Sequence, residues 1–135
     1  MLKIDPNPTF SWPVKFNTPE GEQTITLVYK HMDTDARNEW WKAAAESYVA
    51  YADKLKAHAK AVEEAKETGG VLPDEPKPER SGLDEVMDIV VGWQDVDGEF
   101  SRDAMKKVLK NYHTLSARKI AEAWDAALTE GKAKN

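Results

Sequence analysis

A chain of 135 residues, 41% hydrophobic and 32% charged, is long enough to bury one core and too apolar for wholesale disorder. Its formal net charge of −5 disfavours a nucleic-acid duplex or an anionic membrane as partner. The absence of cysteine excludes disulfide frameworks, thiolate nucleophiles and cysteine-held metals.

The opening Met1-Leu2-Lys3-Ile4-Asp5-Pro6 has no signal-peptide pattern, and no later apolar run approaches the length of a membrane span. Phe10, Trp12, Val14 and Phe16 then alternate with Thr9, Ser11, Pro13 and Lys15, the period of a half-buried strand. Pro13 cannot donate to a ladder, which places this strand at a sheet edge. Turn residues Asn17-Thr18-Pro19-Glu20-Gly21-Glu22 lead into Thr24-Ile25-Thr26-Leu27-Val28-Tyr29, rich in β-branched and aromatic side chains. Residues 9–30 therefore predict a β-hairpin, whose apolar face needs helices to cover it.

At Asp33-Thr34-Asp35 the period changes. Trp41, Ala44, Tyr48, Tyr51, Leu55, Val62 and Ala65 recur at alternating steps of three and four, or seven across His58, predicting a long amphipathic helix over 34–67. Its stripe is aromatic at the start and dominated by alanine towards the end, so the later turns should project from the body. Thr68-Gly69-Gly70 ends it, and the proline-containing stretch to residue 82 reads as an extended connector inside one domain, 1–135. Ser81, with Asp84 three residues on, caps a helix whose stripe is Leu83, Val86, Met87 and Val90, widened by Ile89 and Val91 and stopped by Gly92. After the loop Trp93–Phe100, Ser101 caps a third helix bearing Met105, Val108, Leu109 and Tyr112. Thr114 or Ser116 starts the last, with Ala117, Ile120, Ala121, Trp124 and Leu128 at helical spacing. It ends near Gly131, leaving a basic tail Lys132-Ala133-Lys134-Asn135. The three shorter helices thus occupy 83–131. The fold class is mainly α (α+β): an N-terminal β-hairpin packed on a bundle of about four helices, one of them long. The expected core includes Trp12, Ile25, Leu27, Trp41, Tyr48, Val86, Val90, Leu109, Ile120 and Trp124.

Chemistry-bearing patterns are sparse. Asp95-Val96-Asp97-Gly98-Glu99-Phe100 looks like part of a calcium loop, yet aligning Gly98 with that loop's glycine puts Trp93 at the first ligand position and Ala104 where the bidentate glutamate belongs. The alternative reading is an acidic turn in which Asp95 or Asp97 accepts backbone hydrogen bonds and Gly98 supplies a positive φ. His31, His58 and His113 fall on separate segments without metal-ligand spacing. No serine stands in a nucleophile elbow, and no glycine-rich phosphate loop is present. The expectation is a non-enzyme with no catalytic residue, cofactor or metal. The basic residues Lys106, Lys107, Lys110, Arg118 and Lys119, with Lys132 and Lys134 of the tail, are interleaved with acids and read as a solvated helix face rather than a nucleic-acid site. Tryptophan is more informative. Trp40 and Trp41 are neighbours about 100° apart on a helix, so they cannot enter one narrow groove together. Trp40, Tyr51 and Trp93, with Phe100 supporting the loop, are the candidate partner-facing residues. The long stripe leaves self-association open, and a degenerate calcium module or an acidic adaptor or inhibitor of a host protein are the alternatives to weigh.

Residues 24–32 and 83–135, in particular Val90-Val91-Gly92-Trp93-Gln94-Asp95-Val96-Asp97-Gly98-Glu99-Phe100-Ser101, Asn111-Tyr112 and the end Lys134-Asn135, resemble the tail assembly chaperones of long-tailed phages and prophages. Members of that family show a "VxGWxxVDxxFS" core, an "NYP" turn and a basic "KN" end. Here His113 stands where the proline is expected. The resemblance implies a non-catalytic protein of the host bacterial cytoplasm that binds the tape-measure protein, recruits tail-tube subunits around it, and is absent from the finished virion.

Overall fold

The computed structural model describes residues 1–131; the basic tail Lys132–Asn135 lies outside the described residues. The elements run β1 (Thr9–Thr18), β2 (Gly21–Lys30), α1 (Thr34–Thr68), α2 (Gly82–Ile89), β3 (Val90–Gln94), α3 (Arg102–Asn111) and α4 (Ala117–Thr129). By internal contacts the chain forms two compact units, one of Met1–Asp33 with Gly82 onward, the other of Thr34–Ser81.

In the first unit, β1 and β2 form the expected hairpin, antiparallel and in continuous register from Thr9 opposite Lys30 to Thr18 opposite Gly21. Pro19 and Glu20 make the turn. The Thr18 hydroxyl holds it from both sides, donating to the Gly21 carbonyl at 2.8 Å and accepting from the Glu20 N–H at 3.2 Å. Gly21 takes a φ of +120°, a region that side chains rarely adopt. The strand order is β1-β2-β3, so Pro13 does sit on an edge strand.

The third strand departs from the sequence expectation. Residues Val90 and Val91 were expected to continue the second helix to Gly92; instead α2 stops at Ile89 and the chain turns directly into β3, which pairs antiparallel with β2. The run Ile89-Val90-Val91 is β-branched and fits either period, and the open edge of β2 supplies the backbone partners that decide it. Tyr29 opposes Val90 and Val28 opposes Gly92, so Val91 is an extra residue in the ladder, a bulge, and it is exposed. Gly92 lies directly across from Val28, and a Cβ placed there would make ordinary contact with its side chain at 3.6 Å.

Val14, Phe16, Ile25, Leu27 and Tyr29 are buried on one sheet face, together with Val86, Ile89 and Val90, Met105, Leu115, and Ile120, Ala121, Ala123, Trp124 and Ala126 of α4. α4 packs on β1 and α2. Gly82 permits the second contact, since a Cβ there would stand 2.9 Å from the Ala117 Cβ. Two hydrogen bonds fasten α4 to the sheet. The Trp124 Nε1–H donates to the Lys30 carbonyl at 2.9 Å and the Tyr29 hydroxyl donates to the Ile120 carbonyl at 2.9 Å. Phe10 stacks on the Tyr29 ring with centroids 5.6 Å apart. Ser101 caps α3 by accepting from the Ala104 N–H, and Ser116 rather than Thr114 caps α4 by accepting from the Lys119 N–H. Thr114 has another use: its hydroxyl donates to the Asn17 carbonyl, tying the α3–α4 turn to the hairpin tip. Arg102 and Asp84, at 2.5 Å, link α3 to α2.

Burial pushes the Tyr29 phenol well above its ordinary value. The folded state therefore holds this proton more tightly than the unfolded chain, so the stabilisation is complete below the unfolded value of about 10 and falls as pH rises past it. Tyr29→Phe is expected to cost about 1 kcal/mol near neutral pH, because the Ile120 carbonyl loses a donor. It should also flatten the alkaline loss of stability. Urea midpoints measured from neutral pH to about pH 11 check both effects, and an unchanged alkaline slope would show that other groups set it.

The second unit is α1 and its connector. α1 runs one residue beyond the expected 67 and contains no buried residue. Its end is as expected: Gly69 takes φ +71° and the Gly70 N–H reaches back to the Ala65 carbonyl at 2.9 Å, closing the last turn. Tyr48, expected in the core, is instead 74% exposed, and Val49 and Leu55 are exposed with it. Trp41 is half-buried rather than enclosed, as are Trp12 and Leu109. A helix that is amphipathic in sequence needs only some surface for its stripe, and that surface need not belong to its own chain.

Candidate functional site

The β3–α3 connection is built by Trp93. Its Nε1–H donates to the Gly98 carbonyl at 2.8 Å, spanning the loop, and its ring meets Phe100 edge-on with centroids 5.1 Å apart at 90°. Both rings are half-buried. The position of Trp93 follows from the strand: it pairs with Leu27, whose side chain is buried, and so shares that face of the sheet. Asp95 makes the turn out of β3 with φ +58°. That corrects the expectation for Gly98, which is not at positive φ; a short polar side chain tolerates the left-handed region better than most, and Asp95 occupies it.

This loop borders two adjoining depressions in the first unit, of about 470 and 290 Å³. They share Val96, Asp97, Val108 and Tyr112, so they form one groove along α3 from Trp93 to the hairpin end at Phe16, Gln23 and Thr24. Phe16 and Tyr112 meet edge-on at 5.5 Å within it. Trp93, Val96, Ala104 and Val108 supply apolar surface, while Asp95, Asp97 and Asp103 face a single cation, Lys107, among the lining residues. Such a groove suits an apolar side chain flanked by polar or basic groups. It brings together no nucleophile, base and orienting group.

Of the four candidate residues, Trp93 and Phe100 lie together in the first unit and Trp40 and Tyr51 in the second. Trp40 and Trp41 touch edge-on, centroids 4.9 Å apart, and both are half-buried, as is Tyr51. Sequence reasoning missed Tyr112 and Val96 as groove residues. Nothing in a helix stripe or a loop sequence shows that α3 and a loop will part to leave a channel.

Among the described residues, no three of His, Cys, Asp and Glu are grouped so as to hold a metal ion, and no helix is long and apolar enough to cross a membrane. The segment entering the acidic loop is a strand, whereas a calcium loop of the helix–loop–helix kind is entered from a helix.

A family model described as phage tail assembly chaperone matches residues 1–135, the whole chain. The chain belongs to the phage tail assembly chaperone family. Comparison with curated proteins and with solved structures returns no match. For this chaperone the "VxGWxxVDxxFS" stretch acquires a structural meaning: Gly92 faces Val28, Trp93 closes the loop, Asp95 turns it, Phe100 braces Trp93 and Ser101 caps the next helix.

Proposed function

We propose that this tail assembly chaperone binds the tape-measure protein during tail morphogenesis and helps recruit tail-tube subunits around it, without catalysis. It acts in the host bacterial cytoplasm and leaves before the virion is complete. Membership of the family over the full chain carries the reading. The groove beside Trp93 supports it, because a long helical client exposes apolar side chains that aggregate unless shielded, and a half-open aromatic channel is a place to shield them. Trp93 is the leading contact and Phe100 its brace. Trp40 is a second contact, on α1.

Co-expression with the tape-measure protein of the same genome tests this. The expected result is a soluble client that co-elutes with the chaperone on size exclusion. A client that stays insoluble beside a folded, solitary chaperone overturns it. A Trp40→Ala variant that keeps full client binding removes Trp40 from the contact.

A further inference from the structure

We infer that α1 is the dimerisation element of this protein, pairing with α1 of a second copy as a two-fold antiparallel coiled coil. α1 spans 35 residues, roughly 52 Å at the usual rise, and none of them is buried. Its stripe is a strict heptad: Ala44, Tyr48, Tyr51, Leu55, His58 and Val62 follow one another at alternating steps of four and three, and the pattern extends to Trp41 and Ala65. A period of 3.5 rather than 3.6 is the mark of a seam that follows one partner helix along its length. Tyr48 and Leu55, at equivalent heptad positions, are 74% and 43% exposed, and the other seam residues, Trp41, Ala44, Tyr51, His58, Val62 and Ala65, are half-buried.

The sizes along the stripe identify the occupant. Turning a second α1 end for end about the middle of the seam puts Tyr51 opposite Leu55 of the second copy, Tyr48 opposite its His58, and Ala44 opposite its Val62. The extended pattern adds Trp41 opposite Ala65. Large side chains meet smaller ones at nearly every layer, and by symmetry each pair occurs twice, which makes the face complementary to itself. In a parallel pair Trp41, Tyr48 and Tyr51 would each crowd against their own copies, while Ala44 and Ala65 would each face only alanine. The flanks agree. Ala45, Ala52 and Ala59 line one side of the seam and let the helices approach closely, while Lys42 lies level with Glu63 of the second copy on that same side. The opposing helix dipoles also favour this direction. Lys54 meets its own copy across the axis, the one like-charge contact among the flanking positions. Tyr51, considered above as a client contact, is thereby assigned to the contact between copies.

Sedimentation or light scattering of the purified protein, without client, should give twice the chain mass. Tyr48→Glu and Leu55→Glu place carboxylates in the seam at exposed positions; each should weaken the dimer at least about 30-fold while leaving the thermal melt of the monomer unit intact. Ala57→Glu, also exposed but on the side of α1 away from the seam and its flanks, should leave it dimeric. Because the chain has no cysteine, direction can be read separately: mixing Tyr51→Cys with Leu55→Cys should give a disulfide-linked pair faster than either variant alone. A monomer at roughly 0.1 mM overturns the inference, as does a dimer untouched by both glutamates. Faster linking by Leu55→Cys alone overturns the antiparallel arrangement.

Discussion

Trp124→Ala is expected to remove most of the stability of the first unit. The side chain is fully buried in α4, and deletion of a buried tryptophan costs about 3–5 kcal/mol in lost burial and cavity formation. A domain of ordinary stability has about 5–15 kcal/mol in all. The same change strips the Lys30 carbonyl of the indole donor at the end of β2, where the His31 N–H also ties the strand end to Pro8. Trp124→Phe separates the two effects: most of the bulk stays and the donor goes, so about 1–2 kcal/mol should be lost. Denaturant unfolding of the two variants beside the parent checks the ranking. Equal losses would mean that the hydrogen bond and not the packing holds α4 on the sheet.

The role of Trp124 was legible in the sequence, and so were the hairpin, the ends of α1 and the cap at Ser101, because each rests on local chemistry. Alternation over Phe10–Phe16, glycine after Thr68 and serine before a helical stripe act within a few residues of themselves. What the sequence concealed depends on distant partners. Val90 and Val91 become strand because β2 has an edge to offer, and no local pattern announces that. Leu115 is fully buried from a turn between two helices, outside any stripe, since the bond from Thr114 to Asn17 draws that turn against the hairpin. Tyr48 sits in a heptad, and a heptad does not say whether its partner is in the same chain. For the candidate site the balance is similar. Trp93 and Phe100 stood out by residue type, but the channel they border exists only because strand, loop and α3 meet there.

The proposed client groove and the inferred pairing seam fall in different units. Among the described residues the first unit holds every buried side chain and is stapled by Trp124, Tyr29 and the Arg102–Asp84 pair, so its groove is built on a firm frame. The second unit is α1 with its connector, and α1 has no fully buried residue and leaves Tyr48 and Leu55 of its stripe exposed, which suits the pairing inferred above. Trp40, on α1, is the one proposed client contact that shares the unit of the seam; the Trp93 groove lies in the other unit, so groove and seam can each be broken without the other.

Trp93→Ala should break the first while leaving the second. The substitution removes one wall of the groove, the edge-on contact with Phe100 and the donor that spans the loop to Gly98. Trp93 is only half-buried, so a cost of about 2 kcal/mol to the unit is expected, within what the rest of its core can sustain. Client binding should suffer more. A tryptophan at the centre of a contact is commonly worth at least 2 kcal/mol, which is about 30-fold or more in affinity. Trp93→Phe keeps an aromatic wall but frees the Gly98 carbonyl, and should fall between parent and alanine. Phe100→Ala removes the brace without touching the groove lining and should weaken binding by less than Trp93→Ala, through a looser indole. The measurement is client retained on immobilised chaperone, read against the urea midpoint of each variant. If binding fell only in proportion to stability, Trp93 would be a structural staple of the loop; a loss of binding with the fold retained makes it the surface on which the client rests.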